Sequence, residues 1–384
     1  MEDEKQYPSG NYSKSNFLIG AKYKSTLLEN QITALSLYKI YRNEYKEDKG
    51  RMVCSIEASE LRKLLHKNKG SFYSQLENTA NNMASRTIGF SDPIKEEFVY
   101  ISVIDRAEYI KGVFSVYFNA DLKEYLLNLD KNFTILELPI MLKFKHGYSF
   151  RLYELLSSKL YLHKNTTKIE NTYKINFNLS ELKLEMGVVN ANTDSVRREL
   201  NKSKTPDYDK AVAKAEEKNF NSWYEFKRSV IEVAKKEINE KTNLNIEYDT
   251  IRSGRGGKVC GINFYVTKKG VDEETIKENK KKLDMTDIEK FIFYSNVLKL
   301  FEEYNLTIDD IQPICVDADF NMEKIENAKK LLDNTSNVNN VIGWIKDCIK
   351  KGYKSAPTKS KQKFMERETD IDEMKELEKM LLNR

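Results

Sequence analysis

Histidine and cysteine are scarce in this sequence, three and four among 384 residues. The four Cys (Cys54, Cys260, Cys315, Cys348) include no C-x-x-C pair. That argues against a disulfide framework or a zinc cluster and fits a reducing cytosol. The three His (His66, His146, His163) form no H-x-H or HExxH pattern, so metal-dependent nicking and zinc hydrolysis have no candidate ligand set. No apolar run approaches the ~20 residues that cross a bilayer. The opening stretch, MEDEKQYPSGNYSKSN, is acidic then polar and lacks an apolar signal core. No G-x-x-x-x-G-K-[ST] loop occurs, and GRGGK at 254–258 is too short for one. Carboxylate pairs such as Asp309–Asp310 and Asp317/Asp319 fall in helix-cap or loop contexts, where solvated charge is the expected state. Neither a catalytic site nor a cofactor is expected. A large charge of one sign is missing too: the formal net charge is only +5. Such a balance permits a polyanionic partner without demonstrating one, so everything depends on where the basic residues sit.

What is present is material for several cores. Hydrophobic residues make up 40% of the chain, and its 22 Tyr and 18 Phe exclude wholesale disorder. The length favours two or three domains. Residues 1–16 read as a flexible polar tail. Ile32, Leu35, Leu37, Tyr38 and Tyr41 then predict a helix across Gln31–Tyr45. A strand at Met52–Ile56, a helix at 58–66, a break KNKG (67–70) and a helix Ser71–Arg86 follow. Strands are predicted over Phe98–Ile104 and Lys111–Phe118, joined by the polar stretch DRAEYIK, with Phe114, Val116 and Phe118 on one face. A short helix is predicted over Asn119–Leu129.

The order then recurs. Helices are predicted at 137–145 and 148–162, a strand at Tyr173–Phe177, and a helix ELKLEMG with Ser180 as N-cap. A longer helix, Ser222–Lys241, precedes a hairpin, Leu244–Ile251 and Val259–Thr267, with the tip RSGRGGK. Helix, strand, two helices and two strands is the winged-helix order, a helix-turn-helix with a β-hairpin appended. The fold class expected is α+β: two tandem winged-helix domains (17–132 and 133–269, the second with a charged insertion at 188–221) and a small all-helical C-terminal domain (286–358). A charge-dense linker or solvated helix (270–285) precedes that domain, which Thr286 and Glu289 open as a capping box, and a charged helical tail (359–384) follows it.

Such an architecture reads DNA with the outer face of its second helix and with cations on the wing. In the first copy Phe72, Leu76, Ala80 and Met83 point inward. Tyr73, Ser74, Gln75, Asn78, Asn81 and Asn82 then face outward behind Ser71, and Asn and Gln suit adenine edges. Lys67 and Lys69 stand in the preceding turn, within reach of phosphates. In the second copy Phe226, Val230, Val233 and Ile238 point inward, Lys227, Arg228 and Lys235 outward, and Arg252, Arg255 and Lys258 make an all-cationic wing tip. Trp223 is expected as a core anchor. The bland readings are a solvated amide-rich helix and a flexible surface turn.

Four stretches carry a family resemblance. YSFRLYELLSSKLY (148–161) looks like the start of the second winged helix of the plasmid replication initiators. SWYEFKRSVIEVAKKEINEKTNLNIEYDTIRSGRGGKVCGINFYV (222–266) is similar to that family's recognition helix and hairpin. IGAKYKSTLLENQITALSLYKI (19–40) and GVFSVYFNADLKEYLLNL (112–129) fit its first half. The resemblance covers about residues 17–267. It implies an initiator that binds direct repeats (iterons) of double-stranded DNA at a plasmid origin, promoting opening and replisome recruitment. It also implies exchange between a promoter-repressing dimer and an origin-opening monomer, with the first winged helix as the dimerisation element. The rivals are a winged-helix transcriptional repressor and an origin nickase or primase. NVNNVIGWIKDCIKKGYKSAP (337–357) is loosely similar to helical segments of DnaD-type primosomal proteins. The C-terminal domain is therefore a candidate dock for a host helicase or its loader. No membrane partner is expected, and the expected location is the cytoplasm.

Overall fold

The computed structural model describes residues 10–64, 71–92, 97–127, 129, 131–160, 166–203, 205–217, 219–270, 273–335, 338 and 340–352. The chain divides into two compact units, Met1–Asp284 and Met285–Arg384. Among the described residues no helix is long and apolar enough to cross a membrane.

The first unit opens with β1 (Asn11–Ser15) and α1 (Asn16–Gly20), where the sequence suggested a flexible tail. Tyr12, Lys14 and Ser15 are all buried. Lys14 Nζ donates to Glu154 at 2.6 Å, and Ser15 Oγ accepts the Phe17 amide. Polar side chains bury only where a partner waits, and this partner lies 140 residues along the chain. Residues 1–9 of the expected tail lie outside the described residues.

Helix α2 (Leu27–Tyr41) starts four residues before the expected helix, because Thr26 and Glu29 close a capping box. It ends at Arg42, and Asn43 turns the chain away at φ 58°. Then come β2 (Lys46–Asp48), β3 (Arg51–Glu57), α3 (Ala58–Leu64) and α4 (Phe72–Ala84). Strands β4 (Thr87–Asp92) and β5 (Glu97–Ser102) form a separate antiparallel hairpin. The stretch DRAEYIK, expected as a loop, is instead most of β6 (Ile104–Ile110). It pairs with β7 (Val113–Phe118) through the two-residue turn Lys111–Gly112, both at positive φ. That conformation matches the twist of a hairpin, so a charged strand can follow a tight turn without a polar loop. The sheet order is β2–β3–β7–β6. The expected helix at 119–129 is a shorter 3-10 segment, Ala120–Tyr125.

The second half repeats the plan. Strand β8 (Phe133–Glu137) pairs with β1, and α5 (Leu138–Lys143) and α6 (Gly147–Lys159) follow. Next come β9 (Thr166–Ile169), β10 (Thr172–Asn178) and α7 (Leu179–Glu185). Asn178, not Ser180, caps α7, its Oδ1 accepting the Glu181 amide at 3.0 Å; the Ser180 hydroxyl bonds Asp209 instead. Helices α8 (Asp194–Leu200) and α9 (Tyr208–Ala213) occupy the insertion. A continuous helical rod comprises α10 (Trp223–Phe226), a π-helical turn (Lys227–Ile231) and α11 (Glu232–Lys241). Hairpin β11 (Leu244–Ser253) and β12 (Lys258–Lys268) completes a sheet of order β9–β10–β12–β11. In both sheets the last strand lies beside the strand that precedes the helix pair, as the winged-helix fold requires.

The two halves share one core. Phe114, Val116 and Phe118 of β7 and Met52, Cys54 and Ile56 of β3 are fully buried, as alternation predicts. They belong to the same apolar cluster as Phe150, Leu152 and Leu156 of α6 and Ile262, Phe264 and Val266 of β12. Gln31 of α2 ties the halves further, donating to the carbonyls of Leu142 and Phe144 at 3.2 and 3.3 Å.

Helix α12 (Glu273–Leu283) stands where a linker or a solvated helix was expected. It packs on β9 and β10 with almost no apolar side chain. Buried Asn279 donates to Glu170 and Thr172, Lys280 lies 4.5 Å from the Tyr265 ring, and Asp284 accepts from Lys174 and from the Tyr265 hydroxyl. Hydropathy carries no signal of such polar docking.

The second unit contains α13 (Asp287–Leu300), α14 (Ile308–Asp317), α15 (Met322–Asp333) and α16 (Val341–Lys351). The Thr286–Glu289 capping box opens α13 as predicted. Val297, Phe301, Ile314, Ile325, Ile345 and Cys348 belong to a core of its own. The tail 359–384 lies outside the described residues.

Candidate nucleic-acid interface

In the first winged helix α4 is held by Phe72, Leu76, Thr79 and Met83, with Ala80 half-buried. The opposite face carries exposed Tyr73, Ser74, Asn78, Asn81 and Asn82. Ser71 caps no amide of α4; its hydroxyl accepts from Gln75 Nε2 at 2.8 Å, while Ser74 Oγ bonds the Ser71 carbonyl. Gln75 is thus tethered near the helix start, and Asn78 stands one turn further on in solvent. Tyr73, 60% exposed, lies edge-on to Tyr109 of β6, centroids 5.6 Å apart, which joins the reading face to the wing. Asn82 is engaged inside the protein: its amide donates at 3.0 Å to Glu29, a buried carboxylate also gripped by Arg86. Lys67 and Lys69 lie outside the described residues, as does His66.

In the second winged helix the rod α10–α11 buries Phe226, Val230, Ile231, Ala234, Glu237 and Ile238, with Val233 and Trp223 half-buried. Trp223 packs 6.2 Å from the Phe226 ring, in keeping with a core role. The π-helical turn widens the rod where Lys227 and Arg228 emerge together on the exposed side. Arg228 lies 5.5 Å from the Tyr224 ring, and Tyr224 is 66% exposed. Lys235 is half-buried, and its ammonium is occupied by Glu247 at 2.6 Å. Lys236, with its side chain 76% exposed, is a cation that the inward–outward pattern overlooked.

The rod is pinned by Glu237. Its carboxylate accepts from the Lys145 and His146 amides at 3.0 and 3.2 Å, meets His146 Nδ1 at 3.1 Å, and is bonded by Lys241. Burial pushes this carboxyl up, but the bonds from Lys241, Lys145 and His146 outweigh it and hold it below the usual carboxylate value. A carboxylate at the start of α6 also meets the positive end of that helix.

The wing tip is open. Gly254 (φ 76°) and Gly257 (φ 59°) turn the chain, with no atom near where a Cβ would stand. Arg252 donates to the Gly257 carbonyl at 3.0 Å, while Arg255 and Lys258 are exposed. Buried Lys183 lies beneath: burial first, then the Lys258 charge, lowers its pKa. Three cations at one hairpin end, with no carboxylate among them, attract a phosphate backbone. The first wing's tip carries exposed Lys111, in the turn between β6 and β7, where the sequence reading placed the start of a strand.

Residues 11–157 match the model of the family described as "Initiator Replication protein, WH1", and residues 210–266 match "Initiator Rep protein, WH2". Together the two matches span more than half of the chain. No curated protein matches the chain in sequence. Among solved structures, the crystal structure of the Pi initiator protein in complex with iteron DNA resembles it, with 18% identity and a TM-score of 0.48. That likeness covers 68% of this chain and 98% of the other.

Proposed function

The chain belongs to the initiator Rep protein family, and from that premise we propose that it is a plasmid replication initiator whose two winged helices bind direct repeats of double-stranded DNA at an origin. The observation that carries this reading is the repeated sheet plan, each copy presenting an exposed helix face and a hairpin tip, the second tip all cationic. Half-buried Gln75 and exposed Asn78 and Tyr73 of α4 read base edges. Ser71 and Ser74 contact the backbone near them, and Asn82 serves the fold before it serves DNA. Lys227 and Arg228 enter the second groove, with Lys236 beside them, and Lys235 joins if its bond to Glu247 gives way. Arg252, Arg255 and Lys258 hold phosphates, as do Lys67 and Lys69 in the first copy. Phosphate contacts set affinity and salt dependence, and base contacts set sequence.

On this reading the protein is not an enzyme: it opens the origin with binding energy and works in the cytoplasm. Exchange between dimer and monomer and recruitment of a helicase or loader through the second unit extend the same proposal. Footprinting on the DNA flanking its own gene tests it. A series of protected direct repeats is expected, with local melting of an adjacent AT-rich segment. Absence of any protected repeat would overturn the reading, and protection without melting would leave a repressor.

A further inference from the structure

The segment between α7 and α10 falls largely between the two family-matched stretches, which leave 158–209 uncovered. It has a small core of its own, in which Leu184 and Val189 meet Val196 of α8 and Ala211 of α9. It also reaches out of the second winged helix to grip the first. Asn192 donates to the carbonyl of Thr87, the first residue of β4, at 3.2 Å. Asn201 donates to the Tyr100 hydroxyl of β5, and Arg197 lies 5.7 Å from the same ring. Lys22 lies 5.2 Å from the Tyr208 ring, and Lys24 pairs with Glu217 at 2.5 Å. Tyr100 is set for this role by Gly89, its partner across the hairpin: a Cβ at Gly89 would collide with the Val99 carbonyl and the Tyr100 ring.

The location of these contacts matters. Thr87 stands two residues beyond the C-cap of α4, the first reading helix. The segment's other end, Asn221, leads into the Ser222 capping box that starts α10, the second. One short stretch therefore ties the end of one reading helix to the beginning of the other.

We propose that residues 188–221 act as a spacing clamp. Added to the core that the two halves share, they fix the separation and rotation of the two reading helices, and so the number of base pairs between the two segments that a bound site presents. Asn192, Arg197 and Asn201 are its positioning residues, and Tyr100 is their anchor. This rests on the DNA-binding reading above. One added base pair moves the second segment by about 3.4 Å along the duplex and turns it by about 35°. A clamped pair cannot follow that displacement; a loosely joined pair can.

The test uses the full chain and duplexes selected by it from a random pool, then altered by one base pair inserted or removed between the two protected segments. Wild-type protein should lose about a hundred-fold in affinity on the altered duplexes, the scale of losing a specific base contact set. The Tyr100→Ala/Arg197→Ala/Asn201→Ala variant should bind the unaltered duplex nearly as well, yet lose less than about ten-fold on the altered ones. Asn201→Asp, which replaces the amide donor with a carboxylate that accepts from the Tyr100 hydroxyl, should retain the wild-type penalty. Should the triple variant not fold, Asn192→Ala at the other grip point carries the same expectation. A spacing penalty unchanged in these loosened variants overturns the clamp. Failure of wild-type protein to select any two-part site overturns the DNA-binding reading itself, a separate and earlier outcome.

Discussion

Arg255 and Asn78 are both exposed polar residues, but they do different work on the proposed interface. Arg255 stands at a hairpin tip, and a cation on a phosphate carries no sequence information. Arg255→Ala should therefore weaken binding to all duplexes alike and reduce the slope of log affinity against log salt by about one. Filter binding across a salt series on specific and random DNA checks this; a changed sequence preference with unchanged non-specific affinity would remove Arg255 from the wing contact. Asn78→Ala should instead relax preference at one base position, at a cost of about 1–3 kcal/mol. Asn82 looks the same in sequence, yet it donates to buried Glu29. Asn82→Ala should lower stability by about 1–3 kcal/mol, because a buried carboxylate loses a donor. Urea unfolding separates these two asparagines.

At the scale of elements, two buried ionic devices hold the reading surface in place. Arg151 of α6 bonds Glu154 at 2.8 Å and donates to the carbonyls of Ile19, Ala21 and Glu185, while Lys14 of β1 closes on the same Glu154. Truncating one member of such a cluster takes a donor from a buried carboxylate that Arg151 still pairs, so Lys14→Ala should destabilise the first unit by about 1–3 kcal/mol. A denaturation midpoint near wild type would show that β1 contributes little. The second device is Glu237, which joins α11 to the start of α6. Its folded-state pKa lies below the ordinary value of 4.5, so its stabilisation is present above that pH and is lost as pH falls through the folded-state value. Glu237→Gln should be less stable than wild type at neutral pH, with the difference shrinking as pH falls below the ordinary value of 4.5 and through the lower folded-state pKa. Urea midpoints across that range would show a constant gap if the carboxylate's charge were irrelevant.

At the scale of the whole molecule, the two units have separate cores. Separate cores unfold separately unless a large interface couples them. Calorimetry of the full chain should show two transitions, and a chain ending at Asp284 should keep the first. That truncated chain should bind the same duplexes with the same salt slope, since every proposed contact lies before residue 270. Loss of origin function on truncation, with DNA binding intact, would assign recruitment to the second unit.

The element order, and with it the repeated winged-helix plan, was written in local patterns. Alternation marked β7, helical spacing marked α4 and the rod, and turn residues marked the wing tip. These signals are local because backbone periodicity and burial coincide wherever a segment packs one face against a core. Only tertiary structure decided which polar residues are spent internally: Lys14, Asn82, Lys235 and Asn279 each meet a partner from a distant segment. It also turned an expected tail into β1, docked α12 where a linker or solvated helix was expected, and made a charged insertion a tie between two helices. Burying a polar group depends on what stands opposite it in space, and nothing within a few residues of Lys14 or Asn201 names Glu154 or Tyr100.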